Sequence, residues 1–304
     1  MCGIIGYLGQ NDAWPIIYEG LKRLEYRGYD SAGIAVIDLS GQLQLRKTVG
    51  KVNGLEDEEH GPHPRGSVGL GHTRWATHGR PSRQNAHPHT DCYDRVVVVH
   101  NGIVENYLEL KRRLMESGHV FESETDTEVL THLVEEGMDL GLDCQEAFRR
   151  MSRMVKGSQA ITAMRPNNGT EICALRLGYA GGIVVAHHDG QAIVGSDLPA
   201  LLPILERDSQ VGQVGFLETG EIAIVSREGV KYQDLEGNQI EKQSRVVSQE
   251  EVLVDKGGHP HFMLKEIMEQ PLAVAGALRE RVNFDHGRVE LPDFPLSDQE
   301  VAEL

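Results

Sequence analysis

Residues 95–102 read Arg-Val-Val-Val-Val-His-Asn-Gly, and this stretch does most to decide the fold. Four consecutive valines without polar alternation are typical of a β-strand that is buried on both faces. Such a strand needs packed layers on each side and is a rigid mount for the residues that follow it. Asn101 and Gly102 therefore stand at the end of a fixed strand, although an Asn-Gly pair alone most often indicates a hairpin turn.

The flanking segments predict a layered α/β protein. Apolar spacing predicts helices at 14–26, 106–116 and 145–156, a capping-box sequence at 125–128 predicts the start of another helix, and short strands are predicted at 4–8, 34–39, 43–49, 160–164, 172–175, 183–186, 192–194 and 221–225. Two sets of strands and two groups of helices fit two sheets packed face to face, with helices on the outsides. Residues 53–66 are polar and are expected to form a mobile surface connection.

The last part of the chain is expected to be separate. We expect residues 1–240 to form the layered domain and residues 241–304 to form a linker and tail. Apolar spacing predicts a helix at 262–281 in this tail. A tail of this length is too short to be a domain of its own.

Composition restricts the partners. The 304 residues include 30 Lys and Arg against 46 Asp and Glu, a net charge of −16, which argues against nucleic acid or an anionic membrane as the main partner. No apolar run approaches the roughly 18 residues that cross a bilayer, and the first 30 residues lack a signal-peptide pattern. We therefore expect a cytoplasmic protein.

The four cysteines are scattered, at Cys2, Cys92, Cys144 and Cys173, and indicate neither a disulfide framework nor a zinc knuckle. The segment His87-Pro88-His89, with Asp91 and Cys92, contains metal-ligand residue types, but its spacing matches no established zinc pattern. The sequence therefore predicts no metal and no cofactor.

Cys2 is the candidate nucleophile. Removal of Met1 would leave this cysteine with a free α-amino group, whose pKa of about 7.7–8.0 lets it take the thiol proton near neutral pH. A thiolate with an adjacent base is suited to acyl transfer. A cysteine near the start of a chain can also occur by chance.

Five segments in order resemble the signature series of the class II glutamine amidotransferases, which are N-terminal nucleophile hydrolases. These segments are Cys2-Gly3-Ile4-Ile5-Gly6, then residues 24–33 (LEYRGYDSAG), 71–79 (GHTRWATHG), 100–106 (HNGIVEN) and 123–128 (SETDTE). The resemblance implies a four-layer αββα fold with two stacked, mainly antiparallel sheets. It also implies hydrolysis of L-glutamine to glutamate and ammonia.

The resemblance assigns roles to individual residues. Cys2 would be the nucleophile, and Asn101 with Gly102 the oxyanion hole. Arg74 would bind the glutamine carboxylate and Asp126 its ammonium group, although an acid at the start of a helix is also favoured by the helix dipole. Trp75, Thr77 and His78 would belong to a loop that closes over glutamine. Arg27 and Gly28 would support the terminal amine.

Within this family, the sequences of the five segments most resemble those of the members that deliver ammonia to fructose-6-phosphate. The resemblance implies that this sugar is reached only through a phosphosugar isomerase domain, which we expect to be absent from this chain or separate from it. Two alternatives stay open: a stand-alone amidase that serves another acceptor, and a glutamine-sensing module without catalysis. The sequence does not decide between a monomer and a homodimer.

Overall fold

The computed structural model describes residues 2–57, 61–166, 171–205, 213–247, 258–260, 262–278, 281–283 and 288–289. The chain divides into two units, Met1–Leu253 and Val254–Leu304. The domain boundary that we place at residue 240 stays a prediction.

Two antiparallel sheets form the centre of the first unit. The first sheet has eight strands, in the spatial order Arg245–Val246 (β15), Gln213–Phe216 (β11), Val184–His188 (β9), Gln191–Gly195 (β10), Gly3–Leu8 (β1), Val68–Arg74 (β4), Ser31–Ile37 (β2) and Leu43–Val49 (β3). The second sheet has seven strands, in the order Gln239–Ile240 (β14), Gly229–Gln233 (β13), Glu221–Ser226 (β12), Ile172–Leu177 (β8), Gln159–Met164 (β7), Val97–Gly102 (β6) and His89–Thr90 (β5). The valine run thus becomes β6, paired on both sides.

The helices of the first unit are α1 to α5, at Ala13–Leu24, Tyr107–Glu116, Glu128–Asp139, Cys144–Met154 and Leu202–Leu205, and short 3-10 helices lie at Glu25–Arg27, Val52–Glu56 and Leu198–Leu201. On α1, the residues Ile16, Ile17, Leu21 and Leu24 share one face and are buried against the first sheet. Helix α3 is amphipathic in the same way and is buried with the second sheet. Burial of one apolar face is the main source of stability for such helices.

Three buried apolar layers show the order of the elements. One lies between α1 and the first sheet, a second between the two sheets, with Ile4, Leu70 and Val99, and a third between the second sheet and helices α2 to α4. The order is therefore helix, sheet, sheet, helix. The predicted fold class, with stacked antiparallel sheets covered by helices, is confirmed.

One local prediction is wrong, the helix cap before α3. Helix α3 begins at Glu128 and not at a capping box that starts at Thr125: its N-cap is Thr127, which makes no side-chain cap bond. The Glu128 carboxylate instead accepts hydrogen bonds from the backbone N–H groups of Glu122 and Ser123, both at 2.7 Å, and so fixes the preceding loop. The predicted connection at 53–66 lies mostly at the surface, although Leu55 is buried in the 3-10 helix Val52–Glu56; residues 58–60 lie outside the described residues, and the mobility of this segment stays a prediction.

The second unit contains helix α6, Phe262–Leu278, with Pro271 inside it, and a short ladder between Val282–Asn283 (β16) and Arg288–Val289 (β17). The predicted tail helix is therefore confirmed over these residues. Among the described residues, no helix combines the length and apolar character that crossing a bilayer requires.

Candidate active site

Pairing of β1 with β4 places Cys2 beside the end of β4. Gly3 is opposite Thr73 in this antiparallel ladder, so the residue before Gly3 meets the residues after Thr73. The backbone N–H of Trp75 donates to Cys2 Sγ at 3.2 Å. A Cβ atom on Gly3 would lie 2.6 Å from Thr73 Oγ1, so glycine permits this close approach.

Asn101 approaches Cys2 from the second sheet. Its Nδ2 donates to the Cys2 carbonyl oxygen at 2.9 Å, and its Oδ1 lies 3.0 Å from Nε2 of His72. The same Nε2 lies 3.0 Å from the carbonyl oxygen of His100. Because both of these partners are acceptors, Nε2 carries the proton and donates to both. His72 therefore fixes which side of the Asn101 amide faces Cys2.

His72 is held as the neutral ring. Its side chain is fully buried, and burial lowers its pKa to about 3. His72 lies within one of the motif segments, but the sequence indicated no role for it, because its contact with Asn101 depends on how the two sheets are stacked. The one signal for a role of His72 was its position on a buried strand, two residues before Arg74.

Gly102 lies where only glycine fits. Its φ angle is +140°, and a Cβ atom would lie 2.3 Å from the backbone oxygen of Ser158. Both conditions exclude a side chain at this position. The Asn-Gly pair is thus the last part of β6, paired with β7, and is not the turn of a two-residue hairpin.

Arg74 presents a buried cationic group next to Cys2. Its Nη2 donates to the backbone oxygen of His78 and, at 3.2 Å, to that of Gly79. Its Nη1 is buried and has no hydrogen-bond partner within the described part of the chain. Burial lowers the pKa of Arg74, and nearby Cys2 and Asp126 oppose that shift. A buried guanidinium nitrogen without a partner is suited to an anionic ligand, because leaving it unpaired is costly.

Asp126 supplies a buried carboxylate two residues before α3. Its Oδ2 accepts the backbone N–H of Val104 at 2.8 Å, which ties the segment after β6 to the start of α3. The carboxylate is close enough to influence the Arg74 guanidinium. The structure thus places an anionic side chain near Arg74, which is itself close to Cys2, although the three residues are distant from one another in the sequence.

The segment after Arg74 forms an exposed arch. Trp75 is 49% exposed and packs edge-on to Tyr29, with 6.0 Å between ring centroids. His78 packs against Tyr107 at 5.2 Å, and Thr77 is exposed. The N–H of Ala76 donates to Asp30 at 2.8 Å and anchors the base of the arch. Trp75 is thus not a core residue.

Arg27 and Gly28 hold the backbone around Cys2. Arg27 Nε donates to the Cys2 carbonyl oxygen at 3.1 Å, and its Nη1 pairs with Asp197 at 2.7 Å. A Cβ atom on Gly28 would lie 2.7 Å from the carbonyl carbon of Arg74 and 2.8 Å from the nitrogen of Trp75. Asp197, which orients Arg27, carried no signal in the sequence.

The Cys2 thiol lies in an environment with opposing effects. Burial raises its pKa, while the N–H of Trp75 and the charges of Arg74 and Arg27 act in the opposite direction. A thiol held in this way needs a nearby base to become the nucleophilic thiolate.

Comparison with known proteins places this site in a family. The family described as glutamine amidotransferase domain matches residues 43–237. Curated relatives named glutamine–fructose-6-phosphate aminotransferase (isomerizing) include that of Thermus thermophilus, 45% identical over 99% of this chain and 48% of its own length, and that of Symbiobacterium thermophilum, 43% identical over 100% and 48%. The chain thus spans about half the length of the curated relatives it matches.

A solved structure also resembles this chain. The glutamine phosphoribosylpyrophosphate amidotransferase from B. subtilis, complexed with ADP and GMP, matches 78% of this chain and 50% of its own with a TM-score of 0.65 and 26% identity. This similarity extends over most of the two-sheet unit, so it agrees with the αββα arrangement of an N-terminal nucleophile amidotransferase. The chain belongs to the glutamine amidotransferase domain family.

Proposed function

We propose that this chain hydrolyses L-glutamine to glutamate and ammonia through a thioester on Cys2. The observation that carries the proposal is the contact of Asn101 Nδ2 with the Cys2 carbonyl oxygen at 2.9 Å, with the amide oriented by His72. It holds an amide donor beside the proposed nucleophile. An amide NH₂ group has a second hydrogen, which is available to a ligand.

In the first step, the free α-amine of Cys2 takes the thiol proton. The sulfur attacks the side-chain carbonyl carbon of glutamine, and the electron pair of the C=O bond moves to oxygen. Asn101 and the backbone N–H of Gly102 stabilise this oxyanion. When the oxyanion collapses, the C–N bond breaks and the ammonium group of Cys2 returns its proton to the leaving nitrogen, so that ammonia departs and a thioester remains.

In the second step, the same amine takes a proton from water, and the hydroxide formed attacks the thioester carbonyl. A second oxyanion forms at the same place and collapses with cleavage of the C–S bond. The sulfur recovers the proton from the amine. Glutamate leaves, and Cys2 returns to its starting state, so the reaction needs no cofactor.

The substrate is held at its amino-acid end. We assign the glutamine carboxylate to Arg74, because Nη1 of this buried residue is without a partner among the described residues. We assign the ammonium group to Asp126. Trp75, Thr77 and His78 would close the arch over the ligand and exclude water, while Arg27 and Gly28 keep the backbone of Cys2 in place.

We infer further that the ammonia serves the conversion of fructose-6-phosphate to glucosamine-6-phosphate, in hexosamine biosynthesis. Support comes from the names of the curated relatives and from their alignment over nearly the whole chain. Because the chain spans about half of their length, the sugar would be bound by a phosphosugar isomerase domain that these 304 residues do not include. A cytoplasmic location stays a prediction from composition.

The test combines intact mass with a glutaminase assay on the wild type, Cys2→Ala and the control Cys144→Ala. We expect the mature wild type to lack Met1 and Cys2→Ala to release no ammonia, while Cys144→Ala keeps its rate. Ammonia release by Cys2→Ala would refute the thioester. Full glutamine binding with retained Met1 and no turnover would support the sensing module.

The acceptor is tested separately. Addition of a phosphosugar domain from a curated relative, with fructose-6-phosphate, should stimulate glutamine hydrolysis and yield glucosamine-6-phosphate. Hydrolysis without either effect would support an amidase that serves another acceptor.

A further inference from the structure

Four potential metal ligands meet on the helical side of the second sheet, apart from Cys2. They are Cys92, which follows β5, His119, which follows α2, and His132 and Glu135 on α3. Their ligand atoms all lie within 4.8 Å of one another. We call this group the Cys92 cluster. The sequence did not reveal it, because three separate segments contribute to it.

The distances suit a small tetrahedral ion. In zinc sites the Zn–N distance is about 2.0–2.1 Å and the Zn–S distance about 2.3 Å, so neighbouring ligand atoms lie roughly 3.3–3.7 Å apart. Cys92 Sγ and His132 Nδ1 are 3.7 Å apart. Glu135 Oε2 lies 2.7 Å from His119 Nδ1 and 2.8 Å from His132 Nδ1, where protons bridge these atoms. Replacing the protons by an ion requires each pair to open by roughly half an ångström.

The surroundings of the cluster would orient its ligands. His132 Nε2, on the far side of the ring, lies 3.7 Å from the Glu128 carboxylate, and it is buried without a hydrogen-bond partner within the described residues. The second oxygen of Glu135 pairs with Arg95 at 3.3 Å. A carboxylate behind a ligating histidine is a common feature of metal sites, where it fixes the ring and raises its basicity.

The cluster is also accessible and well supported. Cys92 is exposed and lines a cavity of about 880 Å³ together with Val120 and Glu128. The N–H of Val120 donates to Cys92 Sγ at 3.4 Å; burial and the Glu135 carboxylate raise the pKa of this thiol, and the Val120 bond acts in the opposite direction. His132 and Glu135 are both about 1% exposed and lie one turn apart on a regular helix. An ion can therefore enter from the cavity side and meet two fixed ligands.

We propose that the Cys92 cluster binds one Zn²⁺ through Cys92 Sγ, His119 Nδ1, His132 Nδ1 and Glu135 Oε2. The mixed sulfur, nitrogen and oxygen donors match zinc and exclude Mg²⁺ and Ca²⁺, which prefer oxygen ligands. Binding releases the thiol proton of Cys92 to solvent; each ligating histidine binds as the neutral ring with its proton on Nε2, so the proton on Nδ1 moves to Nε2 if the ring is neutral and leaves to solvent if the ring is an imidazolium, and no electron is transferred.

The ion would have a structural role near the proposed substrate site. It would tie the segment after β5 to the first turns of α3. Glu128 lies behind His132 and also accepts hydrogen bonds from the loop of Glu122 and Ser123, three residues before Asp126. Metal binding would therefore stiffen the loop that delivers Asp126.

The test uses Cys2→Ala protein, because a free N-terminal cysteine chelates metals on its own. Zn²⁺ binding is measured by calorimetry, and Co²⁺ is added as a spectroscopic probe. We expect one equivalent of Zn²⁺ and a thiolate-to-cobalt charge-transfer band. Adding Cys92→Ser should abolish the band and weaken binding by at least about tenfold, whereas the matched control Cys144→Ser should change neither.

His119→Gln is the second variant, because His119 contributes a ligand without being at the centre of α3. It should also weaken Zn²⁺ binding by at least about tenfold. Absence of stoichiometric binding, a charge-transfer band that survives Cys92→Ser, or full affinity in His119→Gln would each overturn the proposal. Absence of binding would identify the cluster as a hydrogen-bonded His–Glu–His network.

Discussion

Asn101→Ala gives the sharpest test of the proposed oxyanion hole. The substitution removes the Nδ2 donor that lies 2.9 Å from the Cys2 carbonyl oxygen, while His72 keeps its bond to the carbonyl of His100. Loss of one oxyanion donor costs about 2.7–4 kcal/mol of transition-state stabilisation. With about 1.36 kcal/mol per tenfold change in rate, kcat should fall by about a hundredfold to a thousandfold.

KM for glutamine should change little, since Arg74 and Asp126 hold the amino-acid end of the substrate. The assay is ammonia release coupled to glutamate dehydrogenase over a range of glutamine concentrations. Asn106→Ala is the matched control: its Nδ2 donates to Met154 O and its Oδ1 accepts from the N–H of Lys156, both at 2.9 Å.

Thermal unfolding of both variants separates catalysis from folding. Asn106→Ala loses two hydrogen bonds and should be destabilised by about 1–3 kcal/mol without a comparable loss of kcat. If Asn101→Ala kept kcat within about threefold of the wild type, a change far below the cost of a lost oxyanion donor, its role in the oxyanion hole would be refuted.

Three further predictions address the substrate site, the backbone and the pH dependence. Arg74→Lys should raise KM for glutamine by about tenfold to a hundredfold, because lysine cannot form a bidentate pair, and an unchanged KM would contradict the assignment. Gly28→Ala should destabilise the fold by about 1–3 kcal/mol and reduce activity, because the added Cβ meets the backbone at Trp75; the open-space control Gly276→Ala should do neither. The folded-state pKa of His72 is depressed to about 3, so below pH about 6.5 the unfolded chain binds more protons than the folded chain. The free energy of unfolding should therefore fall as the pH is lowered from about 6.5 to about 3. A free energy of unfolding from urea denaturation that does not change over this range would contradict the prediction.

The sequence predicted the architecture well, because the features that determine it are local. The valine run became a strand paired on both sides, and the apolar spacing on α1 became one buried face. The helix after residues 125–127 was predicted, but its capping box was wrong, because the Glu128 carboxylate accepts hydrogen bonds from the backbone of the preceding loop. Such a choice depends on the path of the chain and not on the four residues themselves.

The candidate site was predictable only where a residue type has a direct chemical role. Cys2, Asn101, Arg74 and Asp126 are brought together as expected from the motifs, although their roles stay proposals. The role of His72 could not be predicted, because its contact with Asn101 joins the two sheets. The sequence does not show how two sheets are positioned on each other. The Cys92 cluster could not be predicted because three segments that are distant along the chain contribute its members.

The bond from His72 to Asn101 joins the two sheets, because His72 is on β4 and Asn101 on β6. The layer that includes Ile4, Leu70 and Val99 fills the space between those sheets and therefore sets the distance between them at the site. Since such interiors are close-packed and resist compression, the gap between nucleophile and amide donor is set by the bulk of side chains that touch neither. The distance between Cys2 and the Asn101 amide thus depends on the packing of both sheets.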